Sequence, residues 1–150
     1  MLLKSLMVSP IESLEKPIVY IVDCDHDLLQ LVSDQLRLNN VVVEVFDSAE
    51  SFLSNKIKSR AACLIVEDNL PNMTGITLLE YINNLGLRLP TIVLSSSSDV
   101  SKAVRAMQAK AIDFIEKPFV HSTLIAKVLD VVHPSYFPIL AVKIHLNFIL

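Results

Sequence analysis

Short apolar runs alternate with segments of helical period along most of this chain. Each run is rich in β-branched residues and lacks a regular polar alternation, which is typical of strands buried on both faces of a parallel sheet. The runs occupy residues 18–22, 41–46, 63–66, 91–94 and 112–115. We therefore predict five strands.

The segments between the runs carry apolar residues three or four positions apart, as one face of a helix requires. These stripes are Leu28, Leu29, Val32 and Leu36; Leu78, Leu79 and Ile82; Val100, Ala103, Val104 and Met107; and Leu124, Ile125, Val128 and Val132. Ser48 and Asp99 are expected N-caps, and Asn40 is expected to be left-handed. Five strands alternating with five helices need right-handed crossovers, which predicts an α/β fold, a doubly wound parallel sheet with helices on both faces.

Polar residues follow four of the predicted strands. In doubly wound folds the carboxyl ends of the strands meet at one edge of the sheet, where such proteins place their sites. The polar positions are residues 23–25, residues 67–69, residues 95–98 and Lys117. We expect a site to form where they meet.

The amino-acid composition argues against several functional classes of protein. The chain has 150 residues, of which 52% are hydrophobic and 19% charged, so it is long enough and apolar enough for one folded domain. A net charge of −3 gives no electrostatic reason to expect binding to nucleic acid, and two cysteines are too few for a secreted disulfide scaffold. No apolar run approaches the roughly 18 residues of a membrane span. We expect a cytoplasmic domain with neither a nucleic-acid nor a membrane partner.

The two ends of the chain differ from its middle. Residues 1–17 are interpreted as a leader, residues 18–132 as the domain and residues 133–150 as a tail. Apolar residues occupy alternate positions of the tail from Leu140 to Leu150, which is the period of a strand. This segment is either an extra strand that pairs with the sheet, a second protomer or a partner, or the truncated or out-of-frame end of a longer regulator.

Four motifs, in order at the predicted strand ends, resemble the receiver domains of response regulators. They are Ile-Val-Asp-Cys-Asp at 21–25, Leu-Ile-Val-Glu at 64–67 with Pro71 four residues on, Val-Leu-Ser-Ser at 93–96, and Asp-Phe-Ile-Glu-Lys-Pro-Phe at 113–119. Residues 71–75 and 104–107 resemble receivers of the FixJ type, which usually precede a LuxR-type DNA-binding domain. The resemblance covers about residues 18–132. It implies a flavodoxin-like, CheY-like sheet of order 2-1-3-4-5 and a role in two-component phosphorelay signalling, not an enzyme.

The resemblance also implies a role for individual residues. In the family, an aspartate at the end of the third strand takes the phosphoryl group from a histidine kinase, and nearby acidic residues hold Mg²⁺. By position, Asp23 matches the first acidic residue and Ser95 the hydroxyl that contacts the phosphoryl group. Lys117 matches the lysine that binds it, and Phe114 matches the aromatic switch on the fifth strand. A cis peptide bond between Lys117 and Pro118 is implied as well.

Two departures from the family fall on this chemistry. Glu67 stands at the phospho-acceptor position, where its extra methylene would place the carboxylate in the space that an incoming phosphoryl group needs. Asp68 is not expected to substitute for it, because adjacent strand residues point to opposite faces. Cys24 replaces the second acidic residue with a soft thiol, which Mg²⁺ disfavours. Asp25 would compensate only in part.

The expected metal site is therefore weak. Its ligands would be Asp23, Glu67 and Asn69, and the ammonium of Lys117 would offset one of the two negative charges. Mg²⁺ is expected to bind weakly at best, and we expect no other cofactor.

The leading hypothesis is an atypical receiver, or pseudo-receiver, that signals by protein contact with little or no phosphorylation. Glu67 would hold a fixed carboxylate near Lys117 and Ser95 and so partly imitate the phosphorylated state. Its partner would be a histidine kinase or another signalling protein. A homodimer would form through the face of helix 4, strand 5 and helix 5, or through the tail. The alternative is the receiver half of a truncated LuxR-type DNA-binding regulator, whereas a flavodoxin-like enzyme lacks a phosphate-cradling loop after the first strand.

Overall fold

The computed structural model describes residues 16–97 and 99–133. Strands and helices alternate strictly within these residues. In chain order they are β1 (Ile18–Val22), α1 (His26–Arg37), β2 (Val42–Phe46), α2 (Ala49–Ser54), β3 (Ala61–Glu67), α3 (Gly75–Asn84), β4 (Thr91–Ser95), α4 (Val100–Gln108), β5 (Asp113–Glu116) and α5 (His121–Val132). The predicted tail strand, and nearly all of the predicted leader, lie outside the described residues.

All strand pairs are parallel, and the sheet has the order β2-β1-β3-β4-β5, which confirms the expected fold. The strand order reverses between β1 and β3, so these neighbours form the switch point at which such folds bind ligands. Val22 pairs with Val66 in this register. The residues that follow them, Asp23 and Glu67, therefore emerge side by side at the edge of the sheet.

Two apolar clusters cover the two faces of the sheet. Val19, Ile21, Cys63 and Ile65 pack on one face with α1 and α5, whereas the alternate strand residues pack on the other with α2, α3 and α4. All five residues of β1 are buried, as expected for a strand with helices on both sides. Burial of each large aliphatic side chain contributes about 1.5–3 kcal/mol, so the central strands are firmly held.

The predicted local features of the backbone are present. Ser48 accepts a hydrogen bond from the amide of Ser51, and Asp99 accepts one from the amide of Ser101, so that both residues cap helices. Asn40 is left-handed with a φ of 62°, and the Lys117–Pro118 bond is cis. β2 begins one residue later than predicted because the amide of Val41 closes the end of α1.

The apolar stripe of α4 does not face the core. Val100 is 80% exposed, and Val104 and Met107 are each about half exposed. The buried residue of α4 is Ala106, a small side chain that lets the helix lie close to the sheet. Periodicity identified this helix correctly, but Met107 is not the core residue that its stripe suggested. An apolar surface is left on α4.

Among the residues that the structure describes, no helix is long and apolar enough to cross a membrane.

Candidate functional site

A single lysine joins the ends of β1, β3 and β5. The Nζ atom of Lys117 lies 2.8 Å from Asp23 Oδ2 and 2.8 Å from Glu67 Oε2. Both carboxylates are almost fully buried, and the lysine side chain is 18% exposed. The structure thus brings together three of the residues that the sequence singled out.

The lysine is placed by the end of β5. Its backbone amide donates to the carbonyl of Ser95 (2.7 Å), which extends the pairing of β4 with β5 by one bond. Burial by itself lowers the pKa of the Lys117 ammonium, but the hydrogen bonds and charges of Asp23 and Glu67 outweigh it, so that the pKa is raised. Lys117 therefore remains a cation at neutral pH and balances one of its two carboxylate partners.

The second oxygen of Glu67 has two donors. The backbone amide of Asn69 donates to Glu67 Oε1 (3.1 Å), and the hydroxyl of Ser96 donates to the same atom (3.3 Å). An ammonium, a hydroxyl and a backbone amide therefore surround one carboxylate. These groups are of the kind that bind an anion such as a phosphoryl group.

The hydroxyl that meets Glu67 is not the expected one. Ser95 is buried, and its Oγ donates to the carbonyl of Ser97 (3.2 Å) and accepts from the amide of Ser97 (3.3 Å). Its neighbour Ser96 extends from the end of the strand and reaches the carboxylate instead. The resemblance assigned this contact to Ser95, and the difference arises from how the loop turns after β4.

Asp68 faces away from Lys117, as the alternation of strand side chains predicted. Its Oδ1 accepts from the amide of Ile76 (3.1 Å) in the first turn of α3, and its Oδ2 lies 3.7 Å from Lys102 Nζ. The sequence predicted that Asp68 would point away from the site, but it gave no role to Asp68 or to Lys102. A carboxylate directly after the acceptor position, with a lysine in the first turn of the helix after β4, is the signal that could have found this pair.

Gly75 allows α3 to begin against the acceptor strand. A Cβ at this position would lie 2.4 Å from the carbonyl oxygen of Glu67 and 3.0 Å from the Cα of Asp68, both of which are backbone atoms. Only glycine lets the helix approach the end of β3 so closely.

Replacing Gly75 with alanine is expected to destabilise the fold by about 1–3 kcal/mol, because either β3 or α3 must shift. Urea denaturation measures this change. Gly86→Ala is the matched control, since nothing lies within 4 Å of the added carbon and only a φ of +80° opposes it. Equal stability of native chain and Gly75→Ala would show that the close approach is not real.

The other predicted acidic-pocket residues have structural partners. Asp25 caps α1 by accepting from the amide of Leu28 (3.2 Å), and its own amide donates to Asp23 Oδ1 (2.9 Å). Cys24 is exposed, and its thiol donates to the carbonyl of Asp47 (3.2 Å). Partial loss of water around the sulfur, together with the negative charges of Asp23, Asp47 and Glu67, raises the pKa of the Cys24 thiol. The side chain is therefore not a reactive thiolate at neutral pH.

These residues fit a Mg²⁺ site poorly. Within residues 16–97 and 99–133, no group of three or more His, Cys, Asp or Glu side chains is arranged to hold a metal ion. Asp23 and Glu67 direct oxygens at the ammonium of Lys117, and Asn69 contributes an amide to Glu67. Cys24 would offer sulfur, whereas Mg²⁺ requires oxygen ligands in octahedral geometry.

Phe114 lies on β5, half buried, and packs against the same apolar cluster as Ala106 of α4. It pairs with Val93 of β4 in the sheet. Its position between β4 and α4 is compatible with the implied switch.

Comparison with known proteins agrees with this fold. The sequence profile of the response regulator receiver domain matches residues 19–129. The chain is 34% identical over 111 residues to the response regulator protein TodT of Pseudomonas putida strain F1, covering 74% of this chain and 49% of TodT. It is 36% identical over 107 residues to the transcriptional regulatory protein FixJ of Rhizobium meliloti strain 1021, covering 71% of this chain and 52% of FixJ.

Solved structures agree as well. A response regulator receiver protein from Pseudoalteromonas atlantica superimposes with a TM-score of 0.75 at 42% identity, covering 79% of this chain and 99% of that one. The chain spans about half the length of the two curated relatives, but nearly all of this receiver structure. The chain belongs to the response regulator receiver domain family.

Proposed function

We propose that this receiver domain signals without ordinary phosphorylation, because the Glu67 carboxylate occupies the place of the phosphoryl group. The observation that carries this proposal is the set of donors around Glu67. Lys117 holds one oxygen, while Ser96 and the amide of Asn69 hold the other. A carboxylate contacted in this way is already engaged by the groups that would bind the phosphoryl oxygens.

The imitation is electrostatically incomplete. A phosphoryl group carries about −1.5 to −2 charges and three acceptor oxygens, whereas Glu67 supplies one charge and two oxygens. The Ser95 hydroxyl, which the family uses at this position, turns instead to Ser97. The resting domain therefore has the lysine and loop contacts of a phosphorylated site, but Glu67 carries less negative charge than a phosphoryl group.

Glu67 is also a poor nucleophile in this geometry. Both of its oxygens are within contact distance of a donor, and the ammonium of Lys117 lies 2.8 Å from one of them. Mg²⁺ binds weakly at best, since Asp23 is paired with the same lysine and Cys24 is a soft ligand. Both effects reduce transfer from a phosphodonor.

The output of such a domain is protein contact rather than catalysis. We propose a cytoplasmic role in two-component signalling, with a histidine kinase or another signalling protein as partner. The apolar surface of α4, formed by Val100, Val104 and Met107, suits a protein contact because large exposed apolar side chains cluster there. Together with β5 and α5 it would form a homodimer face.

Amide NMR spectra of the native chain and of Glu67→Asp, each with and without acetyl phosphate and Mg²⁺, test this function. We expect the native spectrum to be unchanged by phosphodonor, because the site is already filled. The variant is expected to shift its signals in β4, α4 and β5. A native spectrum that moves on addition of phosphodonor would refute signalling without phosphorylation.

A second candidate is the receiver part of a longer transcription regulator. TodT and FixJ are each about twice as long as their match to this chain, and FixJ is a transcriptional regulatory protein. The size of the native protein in its cells, measured by immunoblot, distinguishes the two candidates. A product clearly longer than these 150 residues that binds DNA would favour the regulator.

A further inference from the structure

A second carboxylate lies directly after Glu67, on the opposite side of the strand end. Asp68 is 3% exposed, and its Oδ1 accepts from the amide of Ile76, so one oxygen is bound to the start of α3. The first turn of a helix attracts negative charge, so this position suits a carboxylate group. A buried carboxylate of this kind needs further partners for its second oxygen.

Lys102, from the first turn of α4, supplies that partner. Its Nζ lies 3.7 Å from Asp68 Oδ2 and donates to the hydroxyl of Ser97 (2.9 Å). Ser97 follows Ser96, which donates to Glu67. The lysine therefore links the end of β3, the loop after β4 and the first turn of α4.

Apart from the N-cap formed by Asp99 on the amide of Ser101, few contacts among the described residues hold this end of α4. Ala106 is the buried residue of the helix, and it lies toward the opposite end. Arg105 pairs with Glu80 of α3, but the two side chains are 51% and 43% exposed. Exposed pairs contribute little, whereas a pair with one buried partner is costly to break.

We propose that Asp68 and Lys102 form a positioning pair that fixes the first turn of α4, and with it the apolar α4 surface, relative to the end of β3. This role is separate from the one proposed for Glu67, because Asp68 and Lys102 are a different carboxylate and a different lysine. They lie on the other side of the strand end. In this chain an ion pair connects α4 to the end of β3. A contact partner of α4 would thus meet a surface whose position depends on Lys102.

Hydrogen–deuterium exchange of the full chain tests the pair. The variants are Lys102→Met, which removes the ammonium, and Asp68→Asn, which keeps an oxygen for the amide of Ile76. We expect each to accelerate exchange of the amides in residues 103–108 about tenfold, as local opening of a less tethered helix predicts. Exchange in α1, on the other face of the sheet, is expected to stay unchanged.

Three further variants make the result specific. Lys102→Arg retains the charge and is expected to restore native exchange in α4. Arg105→Met removes the exposed pair on the same helix and is expected to change exchange less than about twofold. The double variant Asp68→Asn with Lys102→Met is expected to exchange no faster than either single variant, as for two residues that act as one unit.

The proposal is overturned if Lys102→Met leaves α4 exchange at the level of Arg105→Met. It is also overturned if exchange rises equally in all helices, which would mean general destabilisation rather than positioning. Should Asp68→Asn fail to fold, the comparison of Lys102→Met with Lys102→Arg still decides, because Lys102 is 40% exposed and its replacement leaves the core intact.

Discussion

Shortening Glu67 to aspartate is expected to raise the rate of phosphorylation by acetyl phosphate about a hundredfold or more over the native chain. Removing one methylene withdraws the carboxylate from Lys117, Ser96 and the amide of Asn69 and leaves these groups free to bind the phosphoryl oxygens. A displacement of about an ångström at a reacting atom is enough to change a transfer rate by this factor. Intact-mass measurements over time, in the presence of Mg²⁺, give the rate.

Replacing Cys24 with aspartate tests whether the thiol, rather than Glu67, prevents phosphorylation. Glu67→Asp combined with Cys24→Asp restores an oxygen ligand and is expected to react faster still. Cys24→Asp alone is expected to remain unreactive, because Glu67 still fills the site. If Cys24→Asp alone accepts the phosphoryl group while Glu67→Asp does not, the thiol is the defect in this pocket and the interpretation of Glu67 is wrong.

Replacing Lys117 with methionine is expected to lower the free energy of unfolding by about 3 kcal/mol or more. Two carboxylates that are almost fully buried share this ammonium, and removal of one member of a buried ion pair leaves an uncompensated charge. Guanidinium denaturation measures the loss. Lys127→Met is the matched control, because Lys127 pairs with Asp113 on the surface, where the loss is expected to stay below about 1 kcal/mol.

A pH series separates the charge of Lys117 from its packing. Burial lowers the pKa of this ammonium, but Asp23 and Glu67 raise it by more. The raised pKa means that the ion pair stabilises the fold fully below the ordinary lysine pKa of about 10.4 and is lost as the pH rises through the raised value. The stability difference between native chain and Lys117→Met should therefore be constant near neutral pH and shrink above about pH 10.4. A difference that does not depend on pH would indicate lost packing instead.

The sheet was predictable because its central strands β1, β3 and β4 are largely buried on both faces and are almost wholly apolar, whereas the edge strands β2 and β5 are partly exposed. The meeting of Asp23, Glu67 and Lys117 was predictable for a related reason. Parallel strands end at one edge, and β1 and β3 are neighbours there. The opposite direction of Asp68 followed from strand alternation alone.

Two features of the structure could not be predicted from the sequence. The choice between Ser95 and Ser96 depends on the loop after β4, where Ser95 forms a local turn with Ser97 that competes with the site. The orientation of α4 depends on which side of an amphipathic helix meets the sheet. Here Ala106 lies inward and the larger Met107 outward, so apolar spacing located the helix without showing its covered face.

Fluorine NMR of the native chain with beryllium fluoride and Mg²⁺ reports whether Glu67 already occupies the phosphoryl position. The beryllofluoride anion has the shape of a phosphoryl group and binds to a carboxylate without any transfer reaction, so it reports whether the position beside Lys117 is free. We predict no bound fluoride signal for the native chain and a bound signal for Glu67→Asp under the same conditions. A bound signal on the native chain that disappears in Glu67→Gln would contradict the account, because a carboxylate that accepts the anion cannot already be filling its place.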